Sequence, residues 1–462
     1  MILNGDIIHG ALNTSLIDLW ESNTGNRVIL DLRGESNNNY TRSNTNIPEL
    51  YRIVMSKGSD KTNTFTFSDD FTLMGTSNAV EKPVELIHGT LVFDDSDIDI
   101  DLSTGGDEFL IINGSALEVK QGEVNISDSD MRLDGCLIVS GGTVDMSSDG
   151  NNNDVIYTSS GGSDLLVSDG NLNVGGQLMR NILDASSVLR YTQSNGIARF
   201  GINGTSHPER GVFEIIGSGA EYTRSGGTMS IESGNGSSIN AALSIVNPTV
   251  FSESGASTIM IGGGSNSGAV IGINSTEEIN TLELSGAGDN PVASMLINTL
   301  QIQNLVIGSG ATLNGNDLDV YVSDTWTNNA GLTGFDAGSG NTGTTYSIGS
   351  RVDISGDTEF NDFVNSANSL YLQANTELFS NDLRNETSIY TQDNLFHVQG
   401  DLVNNVWIYS DLGSLVLDGS DVQYVTSETN SGSATRSRIQ KITIDNDLGV
   451  ELLEYNLSLI HI

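Results

Sequence analysis

Three aspartates alternate with apolar residues between positions 97 and 102. Asp97, Asp99 and Asp101 would share one face of a strand, and the residues after each of them are Ile or Leu. Carboxylate oxygens are the ligands that Ca²⁺ accepts, in a flexible geometry. Like charges on one face otherwise repel each other, so the row is either solvated or bridged by a cation. We therefore treat Asp97, Asp99 and Asp101 as a candidate calcium site, with a solvated acidic strand as the alternative.

Residues 105–109 read Gly-Gly-Asp-Glu-Phe. This string resembles the signature of diguanylate cyclases, in which the carboxylates of a hairpin turn hold metal and nucleotide. The resemblance is confined to five residues, because the Asn-Asp and Gly-His elements of that family do not precede them. A Gly-Gly turn between two strands accounts for the string without catalysis, and we predict such a turn here.

Neighbouring carboxylates raise the alternative of glycoside chemistry. Hydrolysis requires two carboxyl groups that flank a sugar bond, one of them protonated. The candidates are Asp69 with Asp70, Asp94 with Asp95, and the group Asp353, Asp357, Glu359 and Asp362. Such neighbours arise by chance among 59 acidic residues, and the Lys or Arg base of a polysaccharide lyase has few candidates. The sequence favours a protein that is not an enzyme, and a carbohydrate-active β-helix lyase or hydrolase remains the alternative.

The composition excludes several classes of protein. The chain has 462 residues, with 19 Lys and Arg against 59 Asp and Glu, which gives a formal net charge of −40. This charge opposes binding to a phosphate backbone, because counterion release requires cationic side chains. No run of about 18 apolar residues is present, so no membrane-spanning helix is predicted. We expect neither nucleic-acid binding nor membrane insertion.

A ten-residue unit recurs along the chain, with two short alternating stretches around a turn that contains glycine. Its copies cover residues 117–126, 137–146, 165–174 and 222–231, and Arg224 replaces an apolar residue in the fourth. Units at such spacings, each with one apolar face, can bury that face only by stacking on their neighbours. The sequence thus predicts an all-β fold, one elongated right-handed parallel β-helix (a β-solenoid).

The regularity of the pattern suggests three segments. Residues 1–85 are less regular and are interpreted as N-terminal coils or a cap, and residues 86–456 as the repetitive β-solenoid. Residues 457–462 read like one frame of a sequencing-library adapter and are interpreted as an adapter-derived tail. No basic and apolar leader follows Met1, so we interpret the chain as a mature or truncated piece of a longer secreted protein.

The style of the repeats resembles that of large secreted surface proteins of Bacteroidetes-type bacteria. The resemblance covers residues 86–456 and rests on strand pairs, Asn-Asn corners and an Ile-x-x-Ile-Thr-Ile-Asp-Asn…Gly-Val-Glu-Leu run. These motifs are Trp326-Thr327-Asn328-Asn329, Leu402-Val403-Asn404-Asn405, and residues 439–452. Members of that group are repetitive, adhesin-like and exported by the type IX system. The resemblance implies a secreted or cell-surface, non-catalytic structural or adhesive segment. Its partners would be surface glycans or other cell-surface proteins, and a calcium-dependent binding module is a further alternative.

Five aromatic residues are candidates for an outward-facing platform that stacks on a glycan or partner. They are Trp326, Tyr346, Tyr371, Trp407 and Tyr409. The alternative is that they fill the interior in place of Leu or Val. The sequence alone leaves both interpretations open.

Overall fold

The computed structural model describes residues 1–10, 27–43, 45–75, 82–234, 241–263, 270–284, 290–340, 342–410, 412–427, 438–453 and 458–459. Strands account for 52% of the chain and helix for about 1%. A single 3₁₀ turn, Gly331–Thr333, is found among the described residues. Of the predicted tail at residues 457–462, only 458–459 belong to the described part.

The chain forms two compact units. The first comprises residues 1–258 with 264–266, and the second comprises 259–263 with 267–462. One continuous strand, Val84–Phe93, spans the boundary predicted at residues 85–86. That boundary separates regular from irregular coils rather than compact units, and it stays a prediction.

The first unit is built of three parallel stacks of strands. Over most of the length of the unit, each coil contributes one strand to each stack. The first stack contains Ile2–Leu3, Ile29–Gly34, Arg52–Lys57, the first half of Val84–Phe93, Phe109–Ile111, Met131–Leu133, Val155–Tyr157, Leu178–Arg180, Phe213–Ile216 and Leu243–Val246. The second contains Ile7–His9, Asn38–Arg42, Thr64–Phe67, the second half of Val84–Phe93, Ser115–Val119, Cys136–Val139, Ser163–Val167, Leu189–Gln193, Glu221–Arg224 and Val250–Glu253. The third contains Asp99–Asp101, Glu123–Asn125, Thr143–Asp145, Asn171–Val174, Ile197–Phe200 and Thr228–Ile231, and a separate pair joins Glu49–Leu50 to Thr72–Leu73.

The second unit is also built of parallel stacks. One side carries Val270–Ser275, Val292–Met295, Thr312–Asn314 and Phe335–Asp336, and then the five-stranded sheet Thr358–Phe360, Glu377–Ser380, Leu395–Val398, Ser414–Leu417 and Ile442–Ile444. A second side carries Thr258–Ile261 (from Ile259 on), Ile279–Leu284, Leu300–Ile307, Val320–Asn328, Thr344–Ser347, Asp362–Asn365, Leu383–Asn385, Leu402–Asn404, Gln423–Thr426 and Val450–Leu452. The third side pairs with the end of Val320–Asn328 and continues through Val352–Ser355, Ser369–Leu372, Ser388–Gln392, Trp407–Ser410, Arg438–Ile439 and Ser458–Leu459.

Residues at equivalent positions of successive coils lie directly above one another. Leu117 pairs with Leu137, and Leu137 pairs with Leu165, so the first three predicted copies stack in register. All three side chains are buried. The next coil pairs Tyr191 with both Leu165 and Tyr222, which reveals a further copy at residues 191–200. Sequence analysis missed this copy because Gln193 stands where the earlier copies have Val.

Glycine is required at the turn of each copy because neighbouring backbones approach closely. Gly170 has φ +76°, and a Cβ atom there would lie 2.2 Å from the carbonyl oxygen of Gly142 in the coil below. Only glycine combines this conformation with this approach at little cost. The recurring turn glycine therefore sets the stacking of the coils. The structure confirms the predicted parallel β-helix.

Candidate functional site

A polar groove runs along one corner of the second unit, between its five-stranded sheet and its second side. It consists of two adjoining cavities of about 690 Å³ and about 460 Å³. Asn381 and Gln399 line both cavities, so the two are continuous. We call this feature the corner groove. Its size lies in the range of ordinary small-ligand sites.

One wall of the corner groove is a column of amide side chains, Asn361, Asn381 and Gln399, which we call the amide column. Each follows the last paired position of a strand in the five-stranded sheet, so the three occupy equivalent positions on successive coils. The N–H of Asn381 donates to the carbonyl of Asn361 at 2.6 Å. Asn381 and Gln399 are exposed. The column therefore repeats one kind of donor and acceptor about every 4.8 Å.

Beside it runs the aspartate column, Asp362, Asp382 and Asp401. Oδ1 of Asp362 accepts a hydrogen bond from the main-chain N–H of Asp382 at 3.2 Å, and Oδ1 of Asp382 accepts one from Asp401 at 2.7 Å. Oδ1 of Asp401 accepts the N–H of Tyr424 at 2.8 Å. The side chain of Asn381 donates to Asp362 at 3.0 Å and joins the two columns. Each carboxylate thus binds the backbone of the coil that follows it.

Asp382, in the middle of the aspartate column, holds its proton more tightly than an ordinary aspartate. Partial burial, with a further contribution from the negative charges of Asp362 and Asp401, raises the pKa of Asp382. The hydrogen bond from the N–H of Asp401 acts in the opposite direction but is outweighed.

Beside the smaller cavity of the groove, His397 lies between two carboxylates. Nδ1 of His397 lies 2.6 Å from Oδ2 of Asp418, and Nε2 lies 2.9 Å from Oε1 of Glu377. The ring of Phe379 stacks on that of His397, with centroids 4.5 Å apart. These contacts fix Asp418, which lines the smaller cavity.

The structure brings part of the predicted carboxylate group to the groove. Glu359 lines the larger cavity, and Asp362 heads the aspartate column. Asp353 lies elsewhere and forms an ion pair with Arg351 at 2.8 Å. Asp357 accepts a hydrogen bond from the main-chain N–H of Glu377.

The two predicted aspartate pairs serve structural contacts. Asp70 forms an ion pair with Arg42, whose main-chain N–H donates to Asp69 at 2.7 Å. Asp94 accepts a hydrogen bond from Gln121 at 3.1 Å, and Asp95 accepts the main-chain N–H of Asp97. Neither pair lines one of the described cavities.

The candidate calcium residues do not all lie on one strand. The strand begins at Asp99, because residues 95–97 form a turn in which the carboxylate of Asp95 binds the N–H of Asp97. Asp99 accepts a hydrogen bond from Asn125 at 3.4 Å, and Asp101 accepts the N–H of Ser103. Within the described ranges, no three His, Cys, Asp or Glu side chains are grouped to hold a metal ion. The calcium site stays a prediction.

The Gly-Gly-Asp-Glu-Phe string forms the predicted turn. Gly105 and Gly106 have φ +73° and +98° and connect the strands Asp99–Asp101 and Phe109–Ile111. The carboxylate of Asp128, which belongs to the next coil, accepts a hydrogen bond from the main-chain N–H of Gly105. The turn is therefore part of the coil structure.

The five aromatic residues predicted as a possible platform lie in different environments. Trp326 is 1% exposed and packs in the interior against Phe335 and Phe360. Tyr371, Tyr390 and Tyr409 form an outer stack with centroids 4.4 and 4.7 Å apart. The stack is closed by the guanidinium of Arg351 at one end and the ring of Trp407 at the other, and Tyr346 stacks on Tyr321. Because ring faces are occupied by neighbouring groups, the stack stabilises the coils rather than offering an open platform.

Sequence analysis missed most of the corner groove, although a signal exists. The pattern Asp-apolar-x-Asn occurs at residues 362–365, 382–385 and 401–404, at spacings of one coil. Its asparagines form a buried ladder, in which Asn365 donates to Asn385 at 2.9 Å and Asn385 to Asn404 at 2.7 Å. Asn328, in the similar corner motif at residues 326–329, instead donates to the carbonyls of Gly331 and Asp357.

Comparison with family models, curated proteins and solved structures gives no match to this chain. No helix within the described residues is long and apolar enough to cross a membrane. The function must therefore be argued from the site itself.

Proposed function

We propose that the chain is a non-catalytic structural or adhesive segment of a bacterial surface protein, secreted or held at the cell surface. A stack of hydrogen-bonded coils gives a rigid support in which each coil adds about 4.8 Å. Its partners are surface glycans or other cell-surface proteins, and the corner groove is the adhesive contact.

The aspartate column is the observation that carries this proposal. Asp362, Asp382 and Asp401 each accept a main-chain N–H from the following coil. Side chains that hold neighbouring coils together contribute to rigidity, and a carboxylate has a second oxygen with which it can accept a hydrogen bond from a ligand.

The ion pairs support an acidic exterior. Many basic side chains that reach the surface among the described residues contact a carboxylate: Arg33–Asp31, Arg52–Glu85, Lys61–Asp164, Arg190–Asp164, Arg199–Glu232 and Arg351–Asp353. With 59 acids against 19 Lys and Arg, carboxylates outnumber the basic side chains about threefold. A strongly negative surface keeps copies of the chain apart in solution.

The proposal is tested by coating fluorescent beads with the full chain and measuring their retention on bacterial cells and on polysaccharide particles. Beads coated with the unfolded chain carry the same charge and serve as the matched control. We expect the cells or particles to retain only the beads that are coated with the folded chain. Equal retention of both preparations, or of neither, would overturn the proposal.

Asp382 favours a second candidate function, glycoside hydrolysis. Its raised pKa suits a general acid. Asp362 and Asp401 each lie one coil from Asp382, at a spacing of about 4.8 Å. Carboxyl separations of about 5 to 9.5 Å serve retaining and inverting hydrolases.

Hydrolysis is tested by measuring the reducing ends released from a panel of polysaccharides by the chain and by Asp382→Asn. Turnover that the substitution abolishes would establish this second function. The absence of release would leave the adhesive proposal in place, whereas release that is unchanged in Asp382→Asn would exclude Asp382 as the general acid.

A further inference from the structure

The corner groove presents the same chemistry on successive coils. The amide column and the aspartate column run in parallel, one member of each on each of three coils. All three amides, together with Asp382 and Asp401, line the cavities. A single small molecule would use one level of this arrangement. A linear polymer of short repeat could bind several levels at once, and linked contacts raise avidity without any new kind of contact.

The charges of the lining residues restrict that polymer. Lys, Arg and His are absent from the described lining residues, whereas six acidic residues line the two cavities: Asp336, Glu359, Asp382, Asp401, Asp418 and Asp421. A polyanion would be repelled at every level of the groove. Acidic polysaccharides and nucleic acids are therefore poor ligands.

The donors and acceptors suit hydroxyl groups. Amide side chains supply both N–H donors and carbonyl acceptors, and a carboxylate accepts from two O–H groups. The carboxylates of the aspartate column already accept one main-chain N–H each, so their charge is in part compensated.

An apolar edge completes the groove. Leu332 is 47% exposed and lines the larger cavity, with Phe335 beneath the surface beside it. The C–H faces of sugar rings can pack on such an edge while their hydroxyl groups contact the two columns.

We propose that the corner groove binds a linear, uncharged polysaccharide laid along the stack of coils, with its hydroxyl groups hydrogen-bonded to the amide and aspartate columns. This inference rests on the proposed adhesive function and names its ligand class.

Native electrophoresis of the full chain through gels that contain soluble polysaccharide tests the inference. The gels contain mixed-linkage β-glucan, xyloglucan or mannan as uncharged polymers, polygalacturonate as the anionic polymer and chitosan as the cationic polymer. We expect retardation by at least one uncharged polymer and none by polygalacturonate. In Asn381→Ala with Gln399→Ala the apparent dissociation constant should rise about tenfold or more.

Gln373→Ala is the matched control, because Gln373 lies on the third side of the same unit and donates to Asp353. Its retardation should equal that of the unchanged chain, and thermal unfolding shows whether each variant folds.

Retardation by chitosan alone, or retardation that the groove variant keeps, would overturn the inference. If the coated beads still adhere while every uncharged polymer fails, the inference falls and the adhesive function stands. If the beads also fail to adhere, both fall.

Discussion

Nε2 of His207 lies 3.8 Å from Oδ2 of Asp154, whose side chain is 1% exposed. Oδ1 of Asp154 accepts a hydrogen bond from the main-chain N–H of Gln177 at 2.6 Å, whereas Oδ2 is buried without a hydrogen-bond partner. Burial raises the pKa of Asp154 to about 7, against the hydrogen bond from Gln177 and with a contribution from the charge of Asp130. In the folded first unit this carboxyl group therefore keeps its proton up to about pH 7, whereas an ordinary aspartate is ionised above about pH 4.

Asp154→Asn should stabilise the first unit at neutral and alkaline pH. The folded pKa of about 7 exceeds the ordinary value of 3.8, so the folded state binds the proton more tightly than the unfolded state. The contribution of Asp154 to stability is full below about pH 4 and is lost as the pH rises through 7. Above that pH the variant should gain roughly 2–4 kcal/mol in free energy of unfolding. Urea unfolding at several pH values measures both curves.

Asp401→Asn is the control for this prediction. Asp401 accepts a hydrogen bond from the main-chain N–H of Tyr424, in the same way that Asp154 accepts one from Gln177. The side chain of Asp401 is more exposed than that of Asp154. Its substitution should bring no gain above pH 7. A stability curve for Asp154→Asn that runs parallel to the unchanged chain would show that Asp154 is ionised at little cost.

The buried ion pair between Arg224 and Glu253 should be strongly coupled. Nη1 of Arg224 lies 3.0 Å from Oε1 of Glu253, and the two side chains are 0% and 2% exposed. Arg224→Met or Glu253→Leu alone leaves an uncompensated buried charge and should cost about 3–5 kcal/mol. The double variant should cost much less than the sum of the two, because it removes both charges. Costs that simply add would mean that the two side chains act independently.

The asparagine ladder predicts a large effect for a conservative truncation. Asn385 accepts a hydrogen bond from Asn365 and donates one to Asn404, and all three are fully buried. Asn385→Ala removes both bonds and should lower the free energy of unfolding by about 2–3 kcal/mol. Asn381→Ala, at an exposed position four residues earlier, should cost less than about 1 kcal/mol. Chemical denaturation compares the two, and similar losses would contradict a special role for the ladder.

Calcium should have little effect on stability if the acidic strand is solvated. Asp99 and Asp101 already accept hydrogen bonds from Asn125 and Ser103. We expect the Tm in millimolar Ca²⁺ to match that in the same concentration of Mg²⁺ within about 2 °C. A larger rise with Ca²⁺ that is lost in Asp97→Asn with Asp99→Asn would instead establish the predicted site.

The sequence alone predicted the coil and its inward face. In the copies at 117–126, 137–146 and 165–174, alternation selects the buried residues, and the turn glycine marks where each pair of strands meets. Both signals are local, because strand side chains alternate within a few residues and a positive φ belongs to one residue. The parallel β-helix could therefore be predicted before any contact between coils was known.

Only the tertiary structure decided which residues meet across coils. Glu359 and Asp362 were named as candidates, but their neighbours Asn381, Gln399 and Asp382 were not, because loops of varying length set which positions coincide. A shift of one residue in a coil would send every later side chain to the other face. The burial that raises the pKa of Asp154 likewise depends on coils far apart in the chain. Local alternation thus fixed the repeating element, whereas the register between coils, a non-local property, created the columns of the corner groove.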